Sequence, residues 1–168
     1  NKQGKDWLGI DKRRLPGVDI VHDLEKIPWP LPDRCASQIV MSHFWEHIKP
    51  WLTLDFMAEL HRVCRDDAQV LISGPYGVEG RFVQDPTHCN PSNEATGLYW
   101  DNRHALWEVN RPPVFHVEYY ELFPAGNGRD FNCILRACKA KTCPHRGQTP
   151  PPTTAPRTNP PHRSPAGP

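Results

Sequence analysis

The sequence predicts an α/β protein: a mostly parallel sheet that closes with an antiparallel hairpin. Three observations predict it. Four short apolar runs recur early in the chain: Trp7–Asp11, Val18–Asp23, Gln38–Ser42 and Gln69–Ser73. A helical pattern separates the last two, as a parallel crossover requires. Two late runs, Phe115–Leu122 and Phe131–Ala137, flank Gly126-Asn127-Gly128, which reads as a hairpin turn.

The first two runs each end in an aspartate, Asp11 and Asp23, twelve positions apart. Gln-Ile-Val-Met-Ser and Gln-Val-Leu-Ile-Ser, at 38–42 and 69–73, are continuous apolar runs. They predict strands covered on both faces. Between them a helix is predicted from about Pro50 to Cys64, with Leu52, Phe56, Leu60 and Val63 on one stripe. Pro50 suits a first helical turn. After Gly74-Pro75-Tyr76 the alternation breaks, and 77–113 is long and irregular. One helix is expected there, near Ser92–Trp100, capped by Asn90 or Ser92.

The chain has 168 residues, enough for one domain, placed at 1–138. Residues 139–168 form a proline-rich tail expected to be disordered, with nine prolines from Pro144 to Pro168. Every Asp and Glu lies at or before Asp130, while six Lys or Arg follow it. The globular part is therefore acidic, which argues against a nucleic-acid substrate gripped by its phosphates. No apolar run approaches the roughly 18–20 residues of a membrane span. The six cysteines form no C-x-x-C pair, and the spacing Cys138-x4-Cys143 lacks the second pair of a zinc site. Reduced thiols and a cytoplasmic location are expected.

Asp11, beside Lys12, stands where an α/β sheet holds a ribose. The plainer reading is a surface turn residue next to Lys12-Arg13-Arg14. Asp23 repeats the pattern, with the Leu24 backbone beside it to meet an adenine edge; a simple turn role is equally open. Ser42-His43-Phe44-Trp45-Glu46-His47 follows the third strand, so His43 is expected to face the ligand crevice. The alternative is an ordinary strand-to-helix junction. No metal role is assigned to the His43–His47 pair, and the H-x-x-E-H order is read as unmatched. In Gln84–Asn90, His88 or Asp85 is a candidate general base, or Asp85 and Thr87 merely shape turns. Phe82, Tyr99, Trp100 and Trp107 are candidates for an apolar substrate wall.

The segments Trp7–Asp11, Gly17–Leu24, Ile27–Asp33, Ser42–Ile48 and Glu59–Cys64, in this order and spacing, resemble the class I S-adenosylmethionine-dependent methyltransferases. The likeness is to the methyltransferase type 11-like group and runs from about Trp7 to Ala137. It implies a Rossmann-like methyltransferase sheet with S-adenosylmethionine as cofactor. Asp11 and Lys12 then lie at the ribose, Asp23 and Leu24 at the adenine, and Ser42 and His43 near the transferable methyl. His43 and His88 become the candidates for a catalytic base. The family's first strand and its Gly-x-Gly loop are missing and expected upstream of Asn1. Their absence leaves two strand edges unpaired and implies weak or no cofactor binding by these 168 residues alone. Arg65-Asp66-Asp67-Ala68 stands where the family has a Pro-Gly-Gly turn. Ser-His-Phe-Trp at 42–45 also departs from the (Asp/Asn/Ser)-Pro-Pro-(Tyr/Phe) loop of adenine and cytosine amino-methyltransferases. The implied function is methyl transfer to a small-molecule acceptor. The alternatives are a non-catalytic methyltransferase-like binding module and a nicotinamide-dependent Rossmann oxidoreductase.

Overall fold

A computed structural model describes residues 6–139. The predicted tail from residue 140 onward lies outside the described residues. Strands β1 (Ile10–Asp11) and β2 (Ile20–Val21) pair in parallel as a separate two-stranded sheet. Strands β3 (Ala36–Ser42), β4 (Cys64–Pro75), β5 (Phe115–Ala125) and β6 (Gly128–Ala137) form a second sheet in the order β3-β4-β6-β5. β3 and β4 are parallel; β4–β6 and β5–β6 are antiparallel. The α/β class and the closing hairpin are as the sequence predicts. Gly126 makes the turn at φ +54°, a conformation that suits glycine.

The predicted crossover helix is a 3-10 turn at Pro50–Leu52 running into α1 (Thr53–Val63). Phe56, Met57, Leu60 and Val63 are all buried on its inner stripe. Trp29 packs edge-on against Phe56, with ring centroids 5.1 Å apart. The Trp29 amide donates to Glu59 Oε1 at 2.6 Å. This fastens the loop after β2 to the helix. In the irregular region only short helices form: α2 (Gly80–Val83), α3 (Glu94–Leu98) and a 3-10 helix at Ala105–Val109. Asn93 caps α3, rather than Asn90 or Ser92, and reciprocates with Thr96 in a capping box.

Three expectations are corrected. β1 and β2 pair over two residues each, where longer strands are predicted. Gly9 shows why: its carbonyl accepts from Asp19 N, and its amide is taken by the Asp19 carboxylate at 2.8 Å. That side chain replaces the next rung of the ladder. The second correction concerns coverage of the sheet. In β4, Ala68, Val70 and Ile72 are buried while Gln69 and Leu71 are only half-buried. Their partners on β6, Cys133 and Leu135, are buried on the same face. α3 lies against this face, where a Cβ on Gly97 would stand 3.2 Å from Cys133 Sγ. The continuous apolar runs thus cover a one-sided core among the described residues. The third lies at residues 65–68, which form no turn outside the strand. They bulge within β4 between the pairs Ala36–Cys64 and Gln38–Gln69. Asp67 takes φ +65° there, as a glycine would.

Candidate active site at the carboxyl ends of β3 and β4

The site grows from the end of β3. Ser42 pairs with Ser73 on β4, and the His43 amide donates to the Ser73 carbonyl at 2.9 Å. His43 then turns with φ +49°, a left-handed conformation uncommon outside glycine and enriched at functional sites. The turn drops Trp45 and Glu46 into the interior, where they are 3% and 2% exposed. Gly74 makes room for the carboxylate: a Cβ there would come within 2.9 Å of Glu46 Oε2.

Glu46 stands between the two predicted catalytic histidines. His43 Nδ1 lies 3.3 Å from Glu46 Oε1, and His43 Nε2 lies 3.7 Å from Asp130 Oδ2. Arg81 Nε donates to the other Asp130 oxygen at 2.7 Å. On the opposite side, His88 Nε2 lies 4.0 Å from Glu46 Oε1 and 3.7 Å from Asp85 Oδ2. The loop carrying His88 is pinned to the same turn, because the Glu46 carbonyl accepts from the amides of Cys89 and Asn90. His43 is half exposed and His88 nearly buried. Asp85 takes hydrogen bonds from the Thr87 hydroxyl and amide, which hold its carboxyl below the ordinary range. Asp85 and Thr87 thus shape a turn and also face the site.

Sequence reasoning reached His43 and His88 separately but missed Glu46, Arg81 and Asp130, which join and surround them. The first of these had a signal. His43-Phe44-Trp45-Glu46-His47 has the H-x-x-E-H order of a metal-ligand motif. The order read as unmatched in the sequence is therefore present. The motif is not on a helix here, since Trp45–His47 is a single 3-10 turn.

Four of the predicted cofactor ligands, Asp11, Lys12, Asp23 and Leu24, lie at the other sheet, while Ser42 and His43 lie at the end of β3. Asp11 closes β1 half-buried, its Oδ1 accepting from the Arg13 amide at 2.8 Å. The Arg13 guanidinium adds two longer bonds and lowers the carboxyl's pKa. Lys12 is exposed beside it. Asp23 follows β2 and accepts from the Glu25 amide at 3.2 Å. The Leu24 carbonyl is taken by Trp29 Nε1 at 2.9 Å, so any contact from Leu24 to an adenine would run through its amide.

The predicted aromatic wall divides. Tyr99 and Trp100 line an open groove of about 490 Å³ together with Trp45, Thr53, Asn90 and Asn110. Phe82 instead packs on His88, and Trp107 donates to the Pro112 carbonyl.

No family model matches the chain, and no curated protein matches it. Solved structures do. A SAM-dependent methyltransferase from Archaeoglobus fulgidus aligns with a TM-score of 0.55 at 16% identity, over 72% of this chain and 68% of that one. The 1,6-didemethyltoxoflavin-N1-methyltransferase of Burkholderia thailandensis, with bound 1,6-didemethyltoxoflavin and S-adenosylhomocysteine, aligns at a TM-score of 0.56 and 11% identity. It covers 77% of this chain and 60% of that one. The N-methyltransferase NodS of Bradyrhizobium japonicum, also with S-adenosylhomocysteine, aligns at 0.53 and 7%, over 77% and 65%. The chain thus spans about two thirds of the length of these structures. The fold is that of the class I SAM-dependent methyltransferases.

Proposed function

We propose that the chain binds S-adenosylmethionine at the carboxyl ends of β1 and β2 and serves methyl transfer to a small-molecule acceptor. The observation that carries the reading is Asp11, a partly exposed carboxylate at a strand end in a methyltransferase fold. Asp11 accepts from the ribose hydroxyls, with Lys12 beside it; Asp23 and the Leu24 amide meet the adenine. Ser42 and His43 stand toward the transferable methyl. The residues present fit the adenosine half of the cofactor. Among the described residues no glycine loop offers a cradle for its amino-acid end.

When bound, the cofactor supplies an electrophilic sulfonium methyl. The displacement is in line and needs mainly orientation and exclusion of water. Where the acceptor must lose a proton, His43 is better placed than His88. It is half exposed, whereas His88 Nδ1 is committed to the Phe82 carbonyl at 2.8 Å. The groove beside Tyr99 and Trp100 has the size of a small-molecule site and is the candidate acceptor pocket.

Saturation-transfer NMR with S-adenosylhomocysteine tests the reading, because it registers weak binding. Adenosine protons should receive more saturation than the amino-acid end, and Asp11→Ala should abolish the signal. An unchanged signal in Asp11→Ala refutes the ribose assignment.

A further inference from the structure

We propose that Glu46, His47 and His88 bind a divalent transition-metal ion, with zinc the ion best matched to their chemistry. One ligand atom from each lies within 4.8 Å of the other two. Glu46 is 2% exposed; neither of its carboxylate oxygens accepts a well-aligned hydrogen bond, and the nearest basic group is His43 Nδ1, 3.3 Å from Oε1. A buried carboxylate left this way costs several kcal/mol unless a cation meets it.

The hydrogen-bond directions of both imidazoles point the same way. His88 Nδ1 lies 2.8 Å from the Phe82 carbonyl, which can only accept, so Nδ1 carries the proton. In the neutral ring Nε2 is then a bare lone pair. It faces Glu46 Oε1 at 4.0 Å and Asp85 Oδ2 at 3.7 Å. His47 follows the same logic. The Thr87 hydroxyl donates to Asp85 Oδ1 at 2.7 Å, so its contact of 3.2 Å with His47 Nδ1 requires that nitrogen to donate. In the neutral His47 ring Nε2 then carries the free lone pair. Each histidine thus has the outer partner that fixes a metal-binding tautomer.

The scaffold is held in place. The Glu46 carbonyl anchors the amides of Cys89 and Asn90, and the rings of His47 and His88 stand 4.8 Å apart, edge to face. Two imidazole nitrogens and one carboxylate oxygen suit zinc or its first-row neighbours better than magnesium or calcium, which prefer oxygen alone. Three protein ligands leave a position open. Bonds of about 2.0–2.2 Å require the donors to draw together by about 1 Å, and exposed His47 can supply that movement. The site does not depend on the methyl-donor reading.

Calorimetric titration of the 168-residue chain with zinc chloride tests the proposal, alongside the exposed-thiol control Cys89→Ser. One equivalent should bind, and Cys89→Ser should leave that binding intact. Glu46→Gln, His88→Gln and His47→Ala should each weaken it at least tenfold. His47→Ala keeps the test decisive if the buried variants fail to fold, since His47 is exposed. Absence of saturable zinc binding overturns the site, as does zinc binding that His47→Ala leaves unchanged or that Cys89→Ser removes. Loss of S-adenosylhomocysteine binding in a chain that still takes zinc counts against the methyl-donor reading alone.

Discussion

Asp101 is fully buried, and its carboxylate accepts from the Arg103 amide at 3.0 Å, Arg103 Nε at 2.8 Å and the Val117 amide at 2.9 Å. Burial alone would raise its pKa, but these bonds and the guanidinium outweigh it and hold the group low. Asp101→Ala should cost about 3–5 kcal/mol in urea unfolding, because Arg103 is left buried without its counter-charge. Replacing both residues by leucine should recover much of that loss. The pH dependence has the same sign at three positions. Hydrogen bonds from Arg62 lower Glu59, and burial lowers His61. Groups whose pKa falls on folding stabilise at higher pH and lose that contribution as pH drops. Stability should therefore begin to decline below about pH 6.5, where unfolded His61 takes up a proton. It should fall further below about pH 4.5 as unfolded Glu59 and then Asp101 are protonated. Unfolding curves at stepped pH check this, and His61→Gln should remove the upper phase.

At the scale of elements, α1 is the best-determined piece. Leu60 is fully buried against the sheet, so Leu60→Ala should cost about 2–5 kcal/mol by chemical denaturation. Its inner stripe was legible because a 3.6-residue period projects directly onto one face. The β4 bulge was legible only as a departure from a turn. Asp67 holds φ +65°, and Arg136 donates to its carbonyl at 3.0 Å. Asp67→Val should lose about 1–2 kcal/mol in thermal unfolding, since a branched side chain resists that conformation. Asp67→Gly should stay within about 1 kcal/mol of the parent.

At the scale of the whole molecule, the sheet of the described residues ends at β3. Among the described residues β3 pairs with β4 alone, and Val40 on β3 is 38% exposed. An apolar strand with a free edge is a template for pairing with another chain. Light scattering after size exclusion should show concentration-dependent self-association, and Val40→Lys should suppress it. A monomer at all concentrations would mean the edge is protected by other means.

The sequence by itself determined the element types, their order and the hairpin, because periodicity and turn chemistry are local properties. It also marked Asp11, Asp23 and His43 by their place after strands. It did not reveal that His43 and His88, forty-five positions apart in sequence, flank one buried glutamate. That juxtaposition depends on the left-handed turn at His43, the space left by Gly74, and two amides binding the Glu46 carbonyl. Burial and hydrogen-bond direction exist only once the chain has closed on itself. For that reason the tertiary structure alone decided that Glu46, His47 and His88 can act as one site.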